Sequence, residues 1–168
     1  MKLVVATHNE GKLVEIKRIL NEEFAEMSEH IELVTAGSLG LPDPVETGVT
    51  FEQNALIKAR DVSLRTGLPA IADDSGLIVD VLGAAPGILS ARWSGVHGDD
   101  KANNELLLKQ LEDIPDQCRT ARFRCAAALA IPKGCGETEL ENSMWKTNGF
   151  ETVRVGEMVG RLIRVPRC

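Results

Sequence analysis

Hydrophobic residues fall along this chain in two rhythms. Lys2-Leu3-Val4-Val5-Ala6 is a short apolar run of strand length. The period then changes: Leu13, Ile16, Leu20 and Phe24 recur at helical spacing, with Glu15, Lys17, Arg18 and Glu22 opposite. Ile31 to Thr35 predicts a second strand. Residues 36–48 hold Gly37, Gly40, Pro42, Pro44 and Gly48, a loop composition that also carries Glu46. Thr50-Phe51-Glu52-Gln53 has capping-box spacing and opens a helix that runs to Thr66. Ala55, Leu56, Ala59 and Val62 would face the core, Lys58 and Arg60 lie on other faces, and Gly67 with Pro69 ends the helix.

Pro69 to Ala72 predicts a buried strand that stops at Asp73-Asp74-Ser75-Gly76, and Leu77 to Leu82 predicts another strand beyond it. Gly83 to Gly87 is a loop, and Ile88 to Arg92 is too short to assign. Asp99 and Asp100 precede a helix from Lys101 to Glu112 with Leu106, Leu107, Leu108 and Leu111, ended by Pro115. Thr120 to Ile131 alternates as one long strand, with Ala121, Phe123, Cys125, Ala127, Leu129 and Ile131 on one face and Arg122 and Arg124 beginning the other. Residues 132–149 form a polar excursion, and Glu151 to Val165 holds one or two strands around Gly156 and Gly160. Helices and strands alternate early while strands dominate late. The fold class expected is α/β with a mixed rather than purely parallel sheet.

Composition narrows the function. A chain of 168 residues makes one domain or two apposed lobes with a real core. The formal charge of -6 argues against a general nucleic-acid surface. It leaves room for an anionic small ligand, because a few placed lysines and a metal reverse the local field. No apolar run reaches membrane-spanning length and the N-terminus lacks a signal-peptide pattern, so a cytoplasmic location is expected. Cys118, Cys125, Cys135 and Cys168 show no Cys-x-x-Cys spacing and read as reduced thiols. His8, His30 and His97 make no metal-ligand pattern and read as surface or loop residues.

Two stretches carry the chemistry. A strand, a polar turn with one glycine and then a helix presents free backbone N–H groups to an anion. Lys12 sits in the first helical turn, where a cation opposes the macrodipole, a local cost that makes sense if it points at a phosphate. This is not a Walker loop, since Gly-Lys-Ser/Thr is absent. The second stretch is Asp73-Asp74-Ser75-Gly76. Adjacent carboxylates at a strand end point in different directions, so one can face a pocket while the other anchors the loop. Such a pair suits a divalent cation or general-base work, and equally suits a polar turn that merely caps the strand.

Four stretches together resemble one family, the inosine/xanthosine triphosphate pyrophosphatases (the Ham1-like, non-canonical purine NTP pyrophosphatases). They are Thr7-His8-Asn9-Glu10-Gly11-Lys12; Glu46-Thr47-Gly48 with Thr50-Phe51 and Asn54-Ala55 to Lys58-Ala59; Ala72-Asp73-Asp74-Ser75-Gly76-Leu77; and Pro86-Gly87-Ile88-Leu89-Ser90-Ala91-Arg92 with Ser94-Gly95. The resemblance implies an elongated mixed sheet flanked by helices, in two lobes with a cleft between. It implies hydrolysis of ITP, dITP or XTP between the α- and β-phosphates, a Mg²⁺ cofactor and a homodimer without nucleic-acid or membrane partners. It puts Thr7, His8, Asn9, Glu10, Gly11 and Lys12 on the triphosphate, with Lys58 a second phosphate-facing lysine and Ser75 touching substrate. Glu46 and Asp74, with Asp73 beside them, become the Mg²⁺ carboxylates, and Asp74 the proton acceptor for the attacking water.

The resemblance also sets a departure. Family members continue past Pro166-Arg167 into a Gly-Phe-Gly-Tyr-Asp-Pro stretch and a Ser-His-Arg segment that grip the base, and this chain has neither and contains no tyrosine. A single NTP pyrophosphatase domain over 1–168, short at its C-terminus, is therefore expected, with poor base discrimination. Two other readings stay open: a Maf-like nucleotide pyrophosphatase, and a phosphate-holding module without turnover.

Overall fold

The computed structural model describes residues 1–7, 10–23, 25–28, 30–133 and 149–165. In chain order the elements are β1 (Lys2–Val5), α1 (Glu10–Glu23), α2 (Ala25–Ser28), β2 (Glu32–Thr35), α3 (Phe51–Thr66), β3 (Ala70–Val79), α4 (Asp100–Gln110), β4 (Thr120–Ile131) and β5 (Phe150–Arg161). Short 3₁₀ turns lie at Asp80–Leu82, Gly87–Arg92 and Asp116–Cys118. Among the described residues the strands make one sheet in the order β2-β1-β3-β4-β5.

β1 is parallel to β2, with Val5 opposite Thr35, and parallel to β3, with Val5 opposite Ile71. β4 and β5 are antiparallel. The Leu162 N–H donates to the Arg119 carbonyl at 2.9 Å at one end, Arg124 reaches Glu157 midway, and Gly149 lies against the Ile131 carbonyl at the other. The sheet is mixed and flanked by helices, as the late run of strands implies.

The chain groups into two compact units. The first takes Met1–Gly48, Glu52–Asp73 and Ala127–Arg154; the second takes Val49–Phe51, Asp74–Ala126 and Val155–Cys168. In the first, Val4, Ala36, Val62 and Ala70 form a buried cluster packed by Ala6, Val34, Leu41 and Leu68. α3 starts immediately after Thr50 and ends before Gly67, whose φ of 66° belongs to the left-handed region that closes helices. Its buried positions in this unit are Asn54, Ala55, Ala59, Val62 and Ser63, so two polar residues join the expected apolar face while Leu56 stays half-buried. The second unit buries Val79, Leu107, Leu111 and Ala121, packed by Leu77, Leu82, Trp93, Ile114 and Leu162. Asp99 caps α4 by accepting from the Ala102 N–H at 3.0 Å.

Three sequence expectations need correction. Asp73-Asp74-Ser75-Gly76 is not a strand-ending turn: β3 runs through it without a break. Ala70, Ala72, Gly76 and Ile78 are all buried, a period of two that the polar letters hide, and ladder pairing overrides the turn preference of Asp, Ser and Gly. Beyond it, Asp80–Leu82 is a 3₁₀ turn rather than the end of a strand. In β4 the fully buried side chains past Ala121 are Ala126, Ala128 and Ala130, whereas Phe123, on the face the alternation makes apolar, is 46% exposed. Small alanines rather than the larger apolar residues mark the close-packed face. The region from Glu151 resolves to one strand that passes through Gly156 and Gly160.

Candidate active site

β1 ends at Val5, and the next residues stay on the sheet: the Ala6 N–H donates to the Ile71 carbonyl at 2.8 Å. The Thr7 N–H turns back to Val5, and the Thr7 carbonyl accepts from Gly37 at 3.3 Å. α1 begins at Glu10, so Gly11 and Lys12 are already helical and Lys12 is in the first turn. The β1–β3 register places Asp73 two residues beyond the last paired position of β3. Lys12 therefore meets Asp73, and its ammonium donates to the Asp73 carboxylate. His8 and Asn9 lie outside the described residues, as does the side chain of Glu10.

A second pair stands in the same unit. Lys58 on α3 lies 2.8 Å from Glu46 in the loop before it, with side chains only 17% and 25% exposed. That burial matters, because a pair sheltered from water is screened less than an ordinary surface pair. The loop is seated by close approach: a Cβ on Gly48 would stand 2.5 Å from Asn54 Oδ1 and 2.9 Å from Asn54 N, and Asn54 is fully buried. Two residues on from Lys58, Arg60 grips Glu151 through two hydrogen bonds of 2.6 Å. Those bonds hold the Glu151 carboxyl below its ordinary value and the Arg60 guanidinium above its own.

Asp74 and Ser75 belong to the second unit and are half-buried in β3. Next to them Gly76 faces the Gly87–Arg92 turn, where a Cβ would meet Ser90 Oγ at 2.7 Å and Phe51 Cε1 at 2.9 Å. The Ser94 N–H and hydroxyl both donate to Asn103 Oδ1, at 2.7 and 2.8 Å, and Asn103 Nδ2 donates to the Ala91 carbonyl at 3.1 Å. Arg92 is half-buried on this anchored loop and His97 is exposed. Ser90 and Asn103 acquire structural roles that sequence reasoning missed. The available signal was weak: Ser90 sits inside a motif stretch, and Asn103 is one polar residue on a leucine-bearing helix.

The remaining polar residues are plainer. Cys118 is exposed and Cys125 half-buried, both free thiols, while Cys135 and Cys168 lie outside the described residues. Among the described residues no group of three or more His, Cys, Asp or Glu is placed to hold a metal, and no helix is long and apolar enough to cross a membrane.

Fold and site together define an α/β protein whose candidate lysines are each set against a carboxylate. The chain belongs to the Ham1 family, whose model matches residues 3–167. It is similar to a dITP/XTP pyrophosphatase of Bifidobacterium longum, 60% identical over 99% of this chain and 75% of that protein. One from Bifidobacterium animalis subsp. lactis is 62% identical over 99% and 74%. The crystal structure of a nucleoside-triphosphatase / dITP/XTP pyrophosphatase from Mycobacterium abscessus matches with a TM-score of 0.77 and 45% identity, covering 99% of this chain and 77% of that one.

Proposed function

We propose that this chain is a nucleoside-triphosphate pyrophosphatase that hydrolyses ITP, dITP and XTP to the monophosphate and pyrophosphate, with Mg²⁺ as cofactor. The relatives from the two bifidobacteria carry the name dITP/XTP pyrophosphatase at 60% and 62% identity across 99% of this chain. At residue level one observation carries the reading. Each candidate phosphate-binding lysine is held by a candidate metal-binding carboxylate, Lys12 by Asp73 and Lys58 by Glu46.

The donor set suits Mg²⁺, a hard cation that commonly takes one or two carboxylate oxygens and leaves its other positions to water and substrate phosphates. Glu46 and Asp74, with Asp73 beside them, are the residues that would hold it once substrate phosphates supply the remaining oxygens; by themselves the described residues form no three-ligand group. When bound, the cation supplies positive charge against the triphosphate. The protein's own part is an exchange of partners. Lys12 and Lys58 leave their carboxylates for phosphate oxygens, which costs more for the sheltered Lys58–Glu46 pair than the roughly 1 kcal/mol of an exposed one. That releases Asp73 and Glu46, and Glu46 would then be available to the cation. Thr7, His8, Asn9, Glu10 and Gly11 would meet the phosphates, and Ser75 would contact substrate. Asp74 takes the proton of the attacking water. Positioning and electrostatics dominate this chemistry, so no nucleophilic side chain is needed. The reading includes a cytoplasmic homodimer, and sedimentation of the purified chain as a monomer would refute the dimer.

One assay tests the function. Protein is incubated with Mg²⁺ and ITP, XTP, dITP, ATP or GTP, and pyrophosphate release is followed. Release from ITP, dITP and XTP is expected. Release from a different nucleotide set favours the Maf-like alternative, and binding without release by folded protein refutes turnover. Asp74→Asn is expected to abolish release with the fold intact, and Lys12→Ala to weaken every triphosphate alike.

A further inference from the structure

β3 changes neighbours along its length. Residues 70 and 71 pair with β1. Residues 77–79 are bordered by the segment from Ala85 to Ser90: the Val79 N–H donates to the Ala85 carbonyl at 2.9 Å, and Ile78 bridges Pro86. At Leu77 the acceptor is a side chain, because the Leu77 N–H donates to Ser90 Oγ at 2.9 Å. The single Ser90 proton goes to the Gly87 carbonyl at 2.6 Å rather than to the Leu77 carbonyl at 3.4 Å, which leaves the lone pairs facing the Leu77 N–H. The approach here is tight enough that β3 carries glycine at 76, where a Cβ would stand 2.7 Å from the same oxygen. The hydroxyl thus sets the spacing between the strand and the Gly87–Arg92 turn, and Leu77 follows Ser75 by two residues and Asp74 by three.

We propose that Ser90 is a positioning residue for the pyrophosphatase reaction: its hydroxyl pins β3 at Leu77 and thereby aims the Asp74 carboxylate, three residues back on the same strand, at the reacting phosphate. This rests on the assignment of Asp74 as proton acceptor. Ser90 itself touches no substrate in this scheme. It acts through the strand, and a small displacement of a catalytic group is enough to lower turnover without loosening the substrate.

The experiment compares Ser90→Ala, Ser90→Thr and Asp74→Asn with the unaltered full chain, using ITP and Mg²⁺. Each variant's melting temperature is measured beside kcat and KM. Ser90→Ala is expected to fold and lose roughly 10- to 100-fold in kcat, with KM within about twofold. Ser90→Thr, which keeps the hydroxyl, should recover most of the loss. In the unaltered protein the Leu77 amide should exchange slowly with solvent, a readout that needs no variant to fold. A Ser90→Ala kcat within about twofold of the unaltered chain overturns the proposal. So does a Ser90→Thr variant no better than Ser90→Ala, or a Leu77 amide that exchanges as fast as a loop amide. If Asp74→Asn keeps its turnover, the Asp74 assignment fails instead, and Leu77 protection still reports the Ser90 contact.

Discussion

A single methyl group placed at Gly76 tests whether β3 and the Gly87–Arg92 turn are as closely seated as they look. The new Cβ would stand 2.7 Å from Ser90 Oγ and 2.9 Å from Phe51 Cε1, and closer still to the Gly87 carbonyl. One of those neighbours is backbone, so the clash cannot be relieved by a side-chain rotation alone. Overpacking of this kind costs about 1–3 kcal/mol. A gain of about 0.5 kcal/mol from replacing glycine inside a strand offsets part of it, leaving a net loss of roughly 1.5 kcal/mol. In a chain of this length that lowers the melting temperature by about 3–6 °C. Gly156→Ala and Gly160→Ala are the internal controls. Both positions lie in β5, neither has a positive φ, and a Cβ at either meets nothing within 4 Å. They are expected to be neutral or to stabilise by up to about 1 kcal/mol. Thermal and urea unfolding of the three variants, followed by circular dichroism, gives the comparison. If Gly76→Ala melts at or above the parent temperature, or if all three variants behave alike, the close approach is wrong.

Arg119 is 1% exposed and donates to the Leu111 carbonyl at 2.5 Å and the Leu162 carbonyl at 3.3 Å. Arg119→Met keeps the bulk but removes the charged donor from the Leu111 carbonyl, which keeps only the Ile114 N–H at 3.0 Å, so urea unfolding should show a loss of about 2 kcal/mol; an unchanged midpoint would contradict this. Glu151 supplies a pH test. Its carboxyl is held below the ordinary 4.5 chiefly by the Arg60 hydrogen bonds, so its stabilisation is complete above the unfolded value and drains away as pH falls through the lower folded one. The stability gap between the parent and Glu151→Gln should therefore be constant near neutrality and close below about pH 4.5; a gap that widens in acid refutes the assignment. Arg60 stays charged throughout and adds no titration of its own.

Local features were legible from the residues alone. β1, α3, the Asp99 cap and the start and end of β4 follow from period, capping residues and a terminating glycine, each of which acts within a few positions. β3 departs from the sequence reading because turn preference is also local, and it lost to the strand's place in the sheet, between β1 and β4. Gly76 shows the difference plainly. In the sequence it reads as a turn glycine, valued for φ; in the fold it is extended, and the missing Cβ makes room for Ser90. The inner face of β4 failed for a related reason. Hydrophobicity ranks Phe123 above Ala126, but burial depends on which side of the strand meets close-packed neighbours.

The ion pairs mark where a linear reading stops. Lys12 and Asp73 are 61 residues apart and nothing in either neighbourhood names the other as partner. What joins them is the register of two parallel strands: with Val5 opposite Ile71, the chain leaving β1 enters α1 beside the stretch of β3 that reaches Asp73 two residues later. A shift of one residue in that register would turn the β3 side chains to the opposite face and part the pair. The candidate phosphate lysine is thus placed by the core residues Val4 and Ala70, which hold the register, as much as by its own turn. Substitutions that loosen β1 against β3 should then disturb the Lys12–Asp73 pair before they unfold the unit. The amide exchange of Ala6, whose N–H donates across to Ile71, is the place to see it first.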